Sequence, residues 1–128
     1  MKKVYSLITI LTAWFFTACS GQTSNNALSP RQFSDKMAAS KNIVLLDVRT
    51  PGEFSEGHIK SAVNADWNGG GFESIVSRYD KSKNYFLYCR SGHRSGLAAE
   101  WMRTHGFKNV FELNGGINAW QSASLPVE

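Results

Sequence analysis

The sequence predicts an open α/β fold, a parallel sheet with helices on both faces. Three observations carry the prediction. Short β-branched, aliphatic and aromatic runs recur at residues 43–46, 62–64, 85–88 and 110–113. Between them lie segments with apolar residues at helical spacing, several opened by capping residues and closed by glycine. The runs at 43–46 and 85–88 are continuously apolar, as in strands covered on both faces and therefore parallel. Strand and helix in alternation build crossover units.

The elements follow in order. Ser29-Pro30-Arg31-Gln32 supplies an N-cap serine, a proline at the first helical position and a glutamine that closes a capping box. That helix is predicted to run to about Ser40, with Phe33 and Met37 on its buried face. Residues 43–46 (IVLL) form a central strand. Thr50-Pro51-Gly52-Glu53 is a second capping box, opening a short helix that Gly57 ends. Residues 62–64 form a short strand, and Asn68 to Gly71 a glycine-rich turn. That turn is not a phosphate loop, because it lacks both the following lysine and the preceding strand. Phe72, Ile75, Val76 and Tyr79 share one face of a helix over 72–79. Residues 85–88 form a strand leading directly into Cys89. A helix is predicted over 95–105, closed by Gly106, with Leu97, Ala98, Trp101 and Met102 inward. After the last strand, Asn114-Gly115-Gly116 turns the chain into a short helix ending at Trp120. Trp67, Trp101 and Trp120 read as core or rim packing, with Trp67 also placed to line a pocket mouth.

The chain has 128 residues, 42% of them hydrophobic and 19% charged, which suits one folded domain and excludes repeat arrays and multi-pass membrane proteins. Its two cysteines exclude a disulfide framework and a four-cysteine zinc site. The three histidines show no ligand spacing, so neither a metal nor an organic cofactor is expected.

The N-terminus reads as an address. Lys2 and Lys3 precede an apolar run over 4–18, too short for the about 20 residues that span a bilayer. Residues 1–18 therefore read as a secretory signal peptide. Phe16-Thr17-Ala18-Cys19 resembles the lipobox of bacterial lipoproteins, which implies a lipid on Cys19 as the first mature residue. The alternative is an ordinary signal peptide with an incidental cysteine. Ser20 after the cysteine points to the outer membrane, so the expected location is the periplasmic face of a bacterial membrane. Residues 19–28 are then the lipidated cysteine and a flexible tether (SGQTSNNAL), and 29–128 the folded domain. Losing Lys2 and Lys3 lowers the formal net charge of +4 to about +2. With no basic run, no nucleic-acid partner is expected. The membrane is met only through the lipid.

The chemistry concentrates in Cys89-Arg90-Ser91-Gly92-His93-Arg94-Ser95, which follows an apolar strand and opens a helix. Open parallel sheets bind ligands there. A loop at that place turns several N–H groups inward as an anion nest, and the helix adds its positive end. Arg90 and Arg94 add charge. A thiol held there is drawn toward thiolate. A lone cysteine is more often an inert core thiol, but this setting argues for a nucleophile. Arg94 stands at a helix start, where a cation is otherwise unfavourable, which argues for binding substrate or organising the loop. Arg90 reads equally as a solvated charge. His93 either tunes Cys89 or points into water. Asp47 and Arg49 end a buried strand and read as a bracing ion pair.

These segments also resemble a known family. Leu46-Asp47-Val48-Arg49-Thr50-Pro51-Gly52-Glu53-Phe54, then Gly57-His58-Ile59 and Ala62-Val63-Asn64, is similar to the first signature of the rhodanese family. Tyr88-Cys89-Arg90-Ser91-Gly92-His93-Arg94-Ser95 resembles its active-site loop, and Asn114-Gly115-Gly116-Ile117 with Ala119 and Trp120 its closing motif. The resemblance spans roughly 29–122 and implies a five-stranded parallel sheet and a single-domain sulfurtransferase. It implies Cys89 as catalytic residue, with Arg90, Ser91, Gly92, His93, Arg94 and Ser95 as the substrate-binding loop. Asp47 and Arg49 would support the loop from behind. His58 reads as making a buried hydrogen bond that fixes the turn after Gly57. The implied partners are a small sulfane donor such as thiosulfate and a thiol or cyanide acceptor, or a protein acceptor. Two alternatives stand beside this enzyme: a persulfide carrier without turnover, and a cysteine-based phosphatase or arsenate reductase. The second needs five residues between Cys and Arg, whereas Cys89 and Arg94 are separated by four.

Overall fold

A computed structural model describes residues 26–128. The expected signal peptide over 1–18, the expected lipid site Cys19 and the expected tether up to residue 25 lie outside the described residues. The elements are β1 (Ala27–Leu28), α1 (Pro30–Ala39), β2 (Ile43–Asp47), α2 (Pro51–Ser55), β3 (Val63–Asn64), α3 (Gly71–Val76), β4 (Asn84–Tyr88), α4 (His93–Thr104), β5 (Asn109–Leu113) and α5 (Gly116–Ser122). The five strands form one parallel sheet in the order β1-β5-β4-β2-β3. This is the α/β architecture the sequence predicts.

Alternation along the strands splits the core in two. Leu46, Val48, Tyr85, Leu87 and Val110 face α3 and α4, where Phe72, Val76, Ala98 and Met102 cover them. Leu45, Phe86, Tyr88 and Leu113 face the other way and pack with Phe33, Ile117 and Trp120 of α1 and α5. Strands buried on both faces need no polar side chain in their middle, so they read as unbroken apolar runs.

Both capping boxes form. Ser29 Oγ accepts from the Gln32 amide and Thr50 Oγ1 from the Glu53 amide, while each N3 side chain reaches back. Three expectations need correction. Ala27 and Leu28, read as the end of a flexible tether, form the edge strand β1. Asn26 and Leu28 carbonyls accept from the Glu112 and Asn114 amides at 2.7 and 2.8 Å. Two residues in a polar stretch carry too little pattern to show a strand. The helix α4 begins at His93 instead of Ser95, because Gly92 takes a left-handed conformation (φ +107°) as its N-cap. Leu97 points outward at 43% exposure, and the inward face carries Ser95, Ala98, Ala99 and Met102. Among the described residues no helix is long and apolar enough to cross a membrane.

Strand β2 connects onward to its neighbour β3, and β4 connects to β5 on the opposite side. The order of the chain therefore diverges between β2 and β4. Ligands collect beyond the carboxyl ends of strands at such a divergence. Asp47 ends β2 in register with Tyr88 of β4, and Cys89 comes next.

Candidate active site

Cys89 leaves β4 and enters a tight loop that ends on α4. Its side chain is buried, 1% exposed, at the floor of that loop. The Gly92 amide donates to Cys89 Sγ at 3.0 Å. Ser95 Oγ lies 3.4 Å from Sγ and 3.3 Å from the Gly92 carbonyl. The hydroxyl has one proton. Beside a neutral thiol it serves the carbonyl; once the thiol ionises, the proton can turn to the sulfur. Burial pushes the Cys89 thiol up. The Ser95 hydroxyl and the amides of Ser95, Gly92 and Ser91 pull it down further, so its pKa ends below the ordinary value. The N-terminus of the twelve-residue helix α4 adds its dipole in the same direction.

The two loop arginines part company. Arg94, in the first turn of α4, makes a two-pronged ion pair with Glu53, Nη1 to Oε1 at 2.7 Å and Nη2 to Oε2 at 2.9 Å. It holds the Glu53 carboxyl down at about 2, against some burial and with help from Thr50. Arg94 therefore ties the active loop to α2 instead of pointing an open fork at a substrate. Arg90 is exposed, and its guanidinium has no partner among the described residues. Ser91 and His93 are exposed on the rim.

Behind the loop, Asp47 and Arg49 form the expected buried pair. Arg49 Nη2 lies 2.6 Å from Asp47 Oδ2 and also donates to the Gly57 carbonyl at 2.7 Å. Burial lowers the Arg49 pKa, and Asp47 and Tyr88 together raise it by more. The Tyr88 ring lies under the guanidinium at 5.6 Å, and the Tyr88 hydroxyl accepts from the Ile59 amide. His58 is not deeply buried. Its ring stacks on Phe54 at 3.9 Å, and Nδ1 lies 3.1 Å from the Phe54 carbonyl. It fixes the Gly57 turn to α2. Trp67 packs edge-on against Phe72.

Several contributing residues escape a reading by sequence. Glu53 is visible as a capping residue, but nothing local marks Arg94 as its second partner. Asn64 donates to the carbonyls of Asp47 and Arg49 and locks the end of β2. Gly116, at φ +61°, lies so close beneath the loop that a Cβ would overlap the carbonyls of Cys89 and Arg90. The paired glycines in the closing motif are the signal for that approach. The neighbouring amides of Ile117 and Asn118 donate to the same two carbonyls. A cleft of about 250 Å³ opens beside Arg90, between α2 and α5, with Glu53, Glu56, Ile117, Asn118 and Gln121 in its walls.

A buried thiol with a lowered pKa in an amide-lined loop, at the strand divergence of a parallel α/β sheet, is an arrangement suited to cysteine-dependent transfer chemistry. The sequence profile of the rhodanese-like domain matches residues 29–123, and the chain belongs to that family. It is 31% identical over 102 residues to a sulfurtransferase of Allochromatium vinosum, covering 80% of this chain and 94% of that one. It is 34% identical over 94 residues to a tRNA uridine(34) hydroxylase of Pelagibacter ubique, covering 73% of this chain and 31% of that longer protein. A rhodanese-related protein from Thermoplasma volcanium superposes with a TM-score of 0.68 at 25% identity, covering 80% of this chain and 97% of that one.

Proposed function

We propose that the protein is a sulfurtransferase that carries sulfane sulfur on Cys89. The Cys89 thiolate attacks the outer sulfur of thiosulfate or a similar donor. A bond forms between Sγ and that sulfur, the sulfur–sulfonate bond breaks, and sulfite leaves with the electron pair. The Cys89 persulfide then yields its outer sulfur to cyanide or a thiol. Two separate transfers give ping-pong kinetics. The loop amides stabilise the anionic sulfur throughout. With Arg94 engaged by Glu53, Arg90 is the cation left to meet the sulfonate end.

The observation that carries the reading is the Gly92 amide on Sγ together with the lowered Cys89 pKa. The loop length agrees with it. Four residues between Cys89 and Arg94 make a cup smaller than a tetrahedral phosphate requires. Thiosulfate:cyanide assays test the proposal. Wild-type protein should release sulfite, and Cys89→Ser should release none. Full activity in that variant overturns the proposal. A stable one-sulfur mass gain without turnover points to a carrier. Turnover of p-nitrophenyl phosphate without turnover of thiosulfate points to a phosphatase.

The reading as an exported protein anchored through lipid on Cys19 rests on residues 1–20 alone. Intact mass spectrometry of membrane-extracted protein checks it, with a diacylglyceryl mass on Cys19 as the expected result.

A further inference from the structure

Helix α5 reaches the site from both of its ends. At its start, the Ile117 and Asn118 amides hold the carbonyls of Cys89 and Arg90. After its end, Ser124 turns the chain back at φ +59°. Leu125 then packs against the core cluster that holds Phe33 and Trp120, and its amide donates to the Trp120 carbonyl at 3.2 Å. Trp120 Nε1 donates to the Pro126 carbonyl at 2.9 Å. Two residues on, Glu128 and His58 exchange both of their main-chain hydrogen bonds, each at 2.8 Å. Such a reciprocal exchange is the hydrogen-bonded pair of an antiparallel ladder, formed here outside the sheet.

The exchange completes the backbone pairing of His58, whose amide and carbonyl have no other partner among the described residues. On either side of His58 stand the two groups that reach the floor of the site. The Gly57 carbonyl accepts from Arg49 Nη2 at 2.7 Å, and the Ile59 amide donates to the Tyr88 hydroxyl at 3.0 Å. Arg49 is paired with Asp47 at the end of β2, and Tyr88 immediately precedes Cys89. A displacement of the turn over 57–59 therefore disturbs both of these bonds at once.

We propose that residues 125–128 are a strap that positions the active site. The main chain of Glu128 fixes His58, and through Gly57 and Ile59 it holds Arg49 and Tyr88 in place behind the active loop. The proposal rests on the sulfurtransferase reading and adds a positioning element to it. The strap lies beyond the closing motif, which ends at Trp120. It acts through main-chain atoms, so the Glu128 side chain is dispensable.

A chain ending at Pro126 separates this role from packing. It keeps the Leu125 contacts and the Trp120 bond and lacks both bonds to His58. It is compared with the full chain and with Glu128→Ala at a temperature where circular dichroism shows all three folded. In the thiosulfate:cyanide assay the shortened chain should lose roughly tenfold in kcat, as a small misplacement far from the chemistry can cause. KM for thiosulfate should change by less than about twofold, since the loss falls on the reacting geometry and not on donor binding. Glu128→Ala retains both main-chain bonds and should rescue the rate. Amide hydrogen exchange on the same proteins follows the path directly. The Ile59 amide should exchange roughly tenfold faster or more in the shortened chain, and at the full-chain rate in Glu128→Ala. Equal kcat in the shortened and full chains overturns the positioning role, and so does unchanged protection of Ile59. A loss in Glu128→Ala as large as in the shortened chain overturns the main-chain path. Absence of sulfite release from the full chain overturns the sulfurtransferase reading and the role in catalysis with it, while Ile59 exchange alone then decides whether the strap holds the turn.

Discussion

The Cys89 thiol is held acidic against the opposing effect of its own burial. In a site 1% exposed, directed hydrogen bonds to the sulfur offset that burial, and the α4 dipole adds to them. Ser95 is the side chain among them, itself fully buried. Ser95→Ala removes a hydroxyl that favours the thiolate and leaves the amides in place. The thiol pKa should rise, and alkylation by iodoacetamide at neutral pH should slow by roughly tenfold, since a hydrogen bond to a charged group contributes about 1.5 kcal/mol. An unchanged pH profile of alkylation would show that the amides suffice. The proposed nucleophile is legible in the sequence because strand, cysteine, arginine and helix start follow one another within a few residues. The role of Arg94 is not. Its partner Glu53 is 41 residues away, and an arginine at a helix start looks the same whether it waits for a substrate or is already neutralised.

At the scale of elements, the site is a junction of α2, α4 and α5 around one loop. The Glu53–Arg94 pair joins α2 to α4. The folded state holds the Glu53 carboxyl at about 2 against an ordinary 4.5. A depressed carboxyl stabilises the fold fully above its ordinary pKa and loses that contribution as pH falls through the depressed one. Glu53→Gln should therefore lower stability at pH 7 by about 1 kcal/mol, with screening of this partly exposed pair taken into account. The gap to wild type should close between about pH 4.5 and pH 2. Urea denaturation at pH 7 and pH 1.5 measures both ends. A gap of equal size at the two values would assign the loss to packing. The α5 side of the junction depends on Gly116, whose left-handed φ and contact with the Cys89 and Arg90 carbonyls leave no room for a side chain. Gly116→Ala should cost at least about 2 kcal/mol and cut sulfite release sharply, because relief of the overlap moves the loop backbone. The paired glycines are plain in the sequence, but that they press on a loop more than twenty residues earlier follows only from the order β5-β4 in the sheet.

At the scale of the whole molecule, the sheet has two edges closed in different ways. Strand β3 ends one side with two residues, and the chain leaves it at once for the Trp67 turn. Strand β1 covers the other side, where β5 would otherwise present unpaired amides along its length. Exposed edges of that kind recruit other chains. The sequence conceals this closure. Capping signals begin at Ser29, and what precedes them is small and polar. The pairing is nevertheless specific, with the Glu112 amide on the Asn26 carbonyl and the Asn114 amide on the Leu28 carbonyl. Leu28 also packs against the core cluster that holds Phe33 and Trp120. A chain beginning at Ser29 keeps every capping residue and every loop residue but lacks β1. The lost backbone hydrogen bonds of β1 and a half-buried leucine together contribute about 2 kcal/mol. For a domain of this size that lowers Tm by roughly 10 °C relative to a chain beginning at Gln22. The shortened chain should also associate at high concentration through β5, visible as a concentration-dependent mass by light scattering. Its alkylation rate at Cys89 should stay near wild type, because β1 pairs only with β5, at the far edge of the sheet from β2, and β4, which leads into the loop, keeps both of its strand neighbours. Equal melting of the two chains would mean that residues 26–28 cover the edge without holding it.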